Sequence, residues 1–188
     1  MSELELRPTS VTDKEIMNPF FAMDNGIVDA AHDTPASQVA MLKELGYDGL
    51  SYRVRPDLPE MLDELDKAGL RMFALFTNAT IDTNGVWWDE GLEPALDVLA
   101  GRDVLVWPTI KSNTFALSDP AGDERAVELV RRLSDMAGAR GLRVALYPHW
   151  HWWLERLDDA LRVIAKADCP NVGVSFGLCH WLLVEQDG

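Results

Sequence analysis

Four times in this chain an amphipathic stretch of helical period stops at a glycine, and a short apolar run begins two or three residues later. The stretches are Pro35–Leu45, Leu58–Ala68, Gly91–Ala100 and Asp123–Ala139, and the stops are Gly46, Gly69, Gly101 and Gly141. Glycine at that position supplies the left-handed backbone that ends a helix. The apolar runs are Gly49–Arg53, Met72–Phe76, Val104–Trp107 and Val144–Tyr147. A fifth stretch, Trp153–Ala167, ends before Cys169-Pro170-Asn171, where proline cannot continue a helix, and Val172–Phe176 follows as another strand. The run Phe20–Met23 precedes the first helix, which has Thr34 as N-cap and Pro35 at its first position. Apolar side chains recur every three or four residues within each helix: Val39, Leu42 and Leu45 in the first, and Leu154, Leu157, Leu161 and Ile164 in the fifth.

Strict alternation of strand and helix calls for a parallel sheet covered by helices. The strands agree, because they are nearly continuous apolar runs, as burial on both faces requires. Two architectures satisfy this pattern. An open doubly wound sheet that binds a nucleotide wants a glycine-rich turn after its first strand, and Met23-Asp24-Asn25-Gly26-Ile27 offers none. The expected fold is therefore α/β: a parallel (β/α) barrel of the TIM type, incomplete, with about six of eight βα units in one domain over residues 1–188. An unclosed barrel leaves two strand edges without partners. Phe20, Met23, Val174 and Phe176 are expected to flank that gap, through which copies of the chain would self-associate.

Bulk properties exclude several partners. A net charge of -14 is wrong for nucleic acid or an anionic membrane, since neutralising phosphate needs basic surface. No apolar run approaches the roughly 18–20 residues of a membrane span, and Met1 to Asn18 lacks the pattern of an export signal, so a cytoplasmic location is expected. Cys169 and Cys179 lie ten apart without a metal or disulfide pattern and read as buried thiols.

In a parallel barrel the chemistry collects in the loops after the strands. Asp24 and Asn25 follow the first strand here, and Arg53 ends the second. Thr77 and Asn78 follow the third, while Trp107, Thr109 and Lys111 lie at and after the fourth. Tyr147, His149 and His151 lie at and after the fifth, and Cys179 and His180 follow the sixth. Imidazole serves as acid, base or metal ligand near neutral pH, which makes His149 and His180 the candidates for chemistry. His151 reads as a supporting neighbour and His32 as structural. Trp87, Trp88, Trp150, Trp152, Trp153 and Trp181 also fall in or before these loops. Their faces can wall a sugar site or anchor packing.

The segments Val144-Ala-Leu-Tyr-Pro-His149 and Asn171-Val-Gly-Val-Ser-Phe-Gly-Leu-Cys-His-Trp181 resemble the xylose isomerase-like TIM-barrel superfamily, which contains sugar phosphate isomerases and epimerases. Phe21-Ala-Met-Asp-Asn25 and Leu45-Gly-Tyr-Asp-Gly49 fit it too. The resemblance implies a divalent metal (Mn, Mg or Zn), held by a Glu ending the fifth strand and by an Asp and a His after the sixth. His149 and His180 match family histidines, so both are candidate metal ligands as well as catalytic groups. Tyr147 stands at the Glu position, however, and Gly177 at the Asp position, which leaves a hard oxygen-ligand site without its usual anchors. Weak metal binding or none is expected.

The resemblance further implies a sugar or sugar-phosphate isomerase or epimerase that moves a proton next to a carbonyl. His149 and His180 would be its acid/base pair. Asn25, Arg53, Lys111, Trp107, Trp150 and Trp181 would bind the substrate. A degenerate barrel that binds carbohydrate without turnover is the alternative. A metal-dependent endonuclease is disfavoured by the charge.

Overall fold

A computed structural model describes residues 18–185. Its elements, in chain order, are β1 (Phe21–Met23), α1 (Pro35–Glu44), β2 (Gly49–Arg53), α2 (Leu58–Ala68), β3 (Arg71–Asp82), β4 (Gly85–Trp88), α3 (Leu92–Leu99), β5 (Leu105–Ser112), α4 (Asp123–Gly138), β6 (Arg143–Leu146), α5 (Leu157–Ala167), β7 (Val172–Val174) and α6 (Leu178–Glu185). Six strands run parallel in the order β1-β2-β3-β5-β6-β7, and β4 pairs antiparallel with β3. β1 and β7 do not pair with each other, so the sheet is open, as an incomplete barrel requires.

Local chemistry sets these boundaries. Thr34 accepts a hydrogen bond from the Ser37 amide while the Ser37 hydroxyl accepts one from the Thr34 amide, and Pro35 opens α1. Gly69 ends α2 at φ 69°, and Gly46, Gly101 and Gly141 also sit at positive φ, where a side chain would crowd the backbone. Gly49 is needed for a different reason. A Cβ there would lie 1.8 Å from the Arg71 carbonyl oxygen, so the starts of β2 and β3 can approach only with glycine between them.

Leu50, Leu75, Val106, Ile110 and Leu146 on the strands are buried against Leu42, Leu62, Leu65, Leu96, Leu99, Leu129 and Leu133 on the helices. Each such side chain contributes about 1.5–3 kcal/mol on removal from water. Asp123 and Asp159 are also buried, and both are held by Arg162. Burial alone would raise the Asp123 carboxyl, but hydrogen bonds from Arg162 and Lys166 outweigh it and hold the group below the usual carboxylate range.

The structure corrects several expectations. β3 runs on through Thr77 and Asn78 to Asp82 and turns back as β4, so Trp87 and Trp88 lie on a strand. β5 likewise continues through Thr109 and Lys111. α5 starts at Leu157 instead of Trp153, and its buried face is Asp159, Ala160, Val163 and Ala167, which leaves Leu161 48% exposed. Leu45, expected on the inner face of α1, lies beyond its end and is 64% exposed. β7 ends at Val174, and a helix not foreseen, α6, carries Cys179, His180 and Trp181. Cys179 is exposed and Cys169 only half-buried, so neither thiol is enclosed. Phe20, Met23 and Phe176 are exposed at the edges, whereas Val174 is half-buried against the core. No described helix is long and apolar enough to cross a membrane. The absent export signal concerns residues that, apart from Asn18, lie outside those described.

Candidate functional site

The C-terminal ends of the strands open onto a cavity of about 600 Å³. The turn after β1 contributes Asp24 and Asn25, and β2 contributes Ser51 and Arg53. Phe76 and Asn78 come from β3, and Lys111 comes from β5. Tyr147, His149 and Trp152 follow β6, and Cys179 and His180 stand on α6. Five of the side chains singled out in the sequence thus share one space: Asn25, Arg53, Lys111, His149 and His180.

The two imidazoles are in contact, with ring centroids 3.9 Å apart at 36°. His149 is sandwiched, its other neighbour being Trp152 at 3.8 Å and 14°. The Nδ1 of His149 lies 2.8 Å from the Trp150 carbonyl oxygen. A carbonyl only accepts, so Nδ1 carries the proton and Nε2 is left with its lone pair. Burial pushes His149 below the ordinary imidazole value; the Trp150 carbonyl opposes that shift and the charge on Lys111 adds to it. His180 is lowered by burial and then by His149. Burial therefore favours the neutral form of both rings. The Nδ1 of His180 is buried and has no hydrogen-bond partner among the described residues.

Two cations and one carboxyl face them. The Lys111 ammonium lies 4.1 Å from the Trp152 ring centroid, on the same indole that stacks on His149. Arg53 lies over Phe76 at 5.6 Å, and its Nε donates to Asp24 Oδ1 at 3.2 Å. Burial raises the Asp24 carboxyl above the ordinary value, and Arg53 pulls the other way. Tyr147 stands at the centre of the aromatic wall, stacked on Trp107 at 4.3 Å and edge-on to Phe76, His149 and His180.

The three remaining tryptophans singled out for substrate do not line the cavity. Trp107 lies beneath Tyr147 and donates its Nε1–H to the Ser175 hydroxyl. Trp150 packs on His151, and Trp181 packs near Phe176. His151 is exposed at φ 68°, and His32 bonds Asp29 through Nδ1. Asp24, Trp152 and Cys179, all at or after strands in the sequence, also line the cavity, as do Ser51 and Phe76, which nothing in the sequence marks.

His149 and His180 could supply two ligands to a divalent ion. Among the described residues no group of three or more His, Cys, Asp and Glu side chains is placed to hold a metal. The described residues therefore do not fit a resident divalent ion.

A family model described as xylose isomerase-like TIM barrel matches residues 39–188. Among solved structures, the apo form of 3-keto-D-glucoside 4-epimerase from E. coli aligns with a TM-score of 0.67 at 17% identity, covering 90% of this chain and 71% of that one. A xylose isomerase-like TIM barrel protein from Mycobacterium smegmatis in complex with magnesium gives 0.59 at 21%, covering 85% and 64%. D-allulose 3-epimerase from Methylomonas sp. in complex with D-allulose gives 0.60 at 18%, covering 83% and 62%. At these identities the likeness is one of fold. The chain spans less than two thirds of the latter two proteins. No curated protein matches the chain in sequence.

Proposed function

The chain belongs to the xylose isomerase-like TIM barrel family, and from that premise we propose that it isomerises or epimerises a sugar or sugar phosphate by moving a proton next to a carbonyl. The observation that carries this reading is the pairing of a free imidazole lone pair on His149 with the cations Lys111 and Arg53 in one cavity.

In this scheme His149 Nε2 takes the proton from the carbon beside the carbonyl. The C–H electron pair forms the enediolate, and its oxygen is stabilised by Lys111 and Arg53. A base must be unprotonated to act, and burial favours that form of both imidazoles. Return of the proton from His149 to the neighbouring carbon, with the hydroxyl proton passing from its own oxygen to the former carbonyl oxygen, completes an isomerisation. Return to the opposite face of the same carbon would need a second group across the cavity. Asp24 is the candidate, because burial favours its protonated form and it comes from β1, at the far end of the strand order from β6 and α6. Asn25 would orient hydroxyls, and Phe76 and Trp152 would face the sugar C–H surface. The two cations also suit a phosphate substituent.

Deuterium exchange tests this reading. Incubated with a panel of ketoses, aldoses and their phosphates in D₂O, the chain is expected to label the carbon beside the carbonyl, as read by NMR. His149→Gln should abolish the labelling. Carbohydrate binding without labelling would favour the second reading, a barrel that binds sugar without turnover. The substitution of Tyr147 and Gly177 for the carboxylates that the resemblance implies is the observation on that side.

A further inference from the structure

A second cavity, of about 480 Å³, adjoins the first between the β2–α2 and β4–α3 connections. The two share Arg53, Phe76 and Asn78 in their linings. Its remaining wall is largely aliphatic: Val54, Pro56, Leu58, Pro59, Pro94 and Val98. Carboxylates stand at its rim, where Asp89 accepts hydrogen bonds from the Thr77 hydroxyl and the Asn78 amide. Arg53 forms the partition with Phe76. Its Nε is engaged by Asp24, whereas its two terminal nitrogens make no hydrogen bond with any described residue.

We propose that this outer cavity is a subsite for a second ring, so that the substrate is a glycoside and not a free monosaccharide. Since the glycosidic bond closes the anomeric carbon as an acetal, the carbonyl beside which the proton moves lies on another ring carbon of the reacting sugar. The inference rests on the reading of the inner cavity as the sugar site. The reacting sugar would occupy the inner cavity, against His149 and Lys111. Its glycosidic substituent would cross the partition, where the bridging oxygen meets one terminal nitrogen of Arg53 while the other faces the reacting sugar. The substituent's ring would then lie on the proline and valine surfaces. These proline and valine walls present C–H groups, which suits the flat apolar face of a ring, while Arg55, held by Asp57, and Glu90 also line the cavity. Both an aryl group and a second sugar have such a face. The volume lies within the range of small-molecule sites, and Val98, 42% exposed, would be covered by such a ring.

Calorimetric titration of the 188-residue chain decides the matter. The probes are D-glucose, D-galactose, D-mannose and D-fructose, each with its methyl glycoside, its 4-nitrophenyl glycoside and a disaccharide that contains it. At least one ring-bearing glycoside is expected to bind about tenfold or more tighter than the matching methyl glycoside, from the apolar area it covers. Whether the nitrophenyl compound or the disaccharide shows the gain identifies the source of the ring. Val98→Trp, which fills the outer cavity, should bring that ratio to within about twofold of unity. Pro59→Trp provides a second filler should the first variant misfold. Equal affinity of methyl and ring-bearing glycosides would overturn the subsite while leaving the inner site intact, as would a gain that survives both fillers. If no sugar or glycoside in the panel binds, the subsite and the proposed function fall together.

Discussion

A side chain on Gly177 would place its first carbon 3.1 Å from Cε2 of Tyr147. The same carbon would lie 3.3 Å from Cδ2 of His180. The two positions at which the resemblance implies carboxylates are therefore packed against each other, and a side chain at 177 would press on the tyrosine ring. Gly177→Ala should push Tyr147 and His180 apart by a few tenths of an ångström, at a cost of about 1–3 kcal/mol for overpacking. Chemical denaturation measures that cost. Sugar binding should weaken in the same variant, and full retention of both properties would show that the contact is slack.

Metal content follows from the same contact. With two imidazoles and no third ligand beside them among the described residues, the chain should retain well under one equivalent of Mn, Mg or Zn after mild dialysis. Elemental analysis checks this. Near-stoichiometric retention by residues 1–188 would overturn it.

The paired imidazoles also link stability to pH. Burial lowers His149 and His180 in the folded chain, while in the unfolded chain both titrate near 6.5. Below that value the unfolded state binds more protons than the folded one. The stability tied to the neutral rings is therefore complete above about pH 6.5 and is lost as pH falls through it. Thermal melts at pH 7.5 and 5.5 should show a lower midpoint at 5.5. A His149→Asn/His180→Asn double variant should show a smaller difference, and an unchanged one would assign the effect to other groups. By the same logic, the acid limb of any sugar exchange should have its midpoint below about 6.5.

Self-association is expected at the open side of the sheet. Phe20 and Met23 are exposed beside β1, and Phe176, Leu178, Trp181, Leu182 and Leu183 are exposed at β7 and α6. Apolar surface concentrated in this way drives contact between molecules, and unpaired strand edges add to it. Sedimentation velocity should show a weight-average mass that rises with concentration. Trp181→Glu/Leu182→Glu should lower that dependence, and a monomer at all concentrations would refute the expectation.

The frame of the fold was legible because its signals are local. Gly69 ends a helix wherever that helix lies, and Thr34 caps one through its own neighbours. The ends of β3 and β5 were hidden by chemistry that only the folded state resolves. Thr77 and Thr109 read as loop residues, yet both are fully buried, because their hydroxyls bond to Asp89 and to the Thr77 carbonyl. The β3–β4 hairpin did leave a mark, since Asp82-Thr83-Asn84-Gly85 is turn chemistry between two strands. The Trp87-Trp88 pair beyond it masks that mark, since paired indoles also suit a loop rim. α6 escaped notice for the opposite reason. Leu178 to Val184 is apolar on most sides, with no polar face to give it helical period. Of the site, the histidine pair and the cations were marked by their places after strands. The separation of Trp152 from Trp150 and Trp181 was not, because neighbouring indoles in one loop point to different surfaces.

The strand order β1-β2-β3-β5-β6-β7 has a consequence for how the chain comes into being. Every parallel strand pairs with the one made just before it, apart from the short β4 excursion. The sheet can thus grow by addition at one edge as the polypeptide leaves the ribosome, and no early strand waits for a late one. Each pairing closes only the loop of one intervening helix, so the entropy of closure is met unit by unit and not over the whole chain. Only the outer edge of β1 is left out of this growth, since among the described strands β1 pairs with β2 alone.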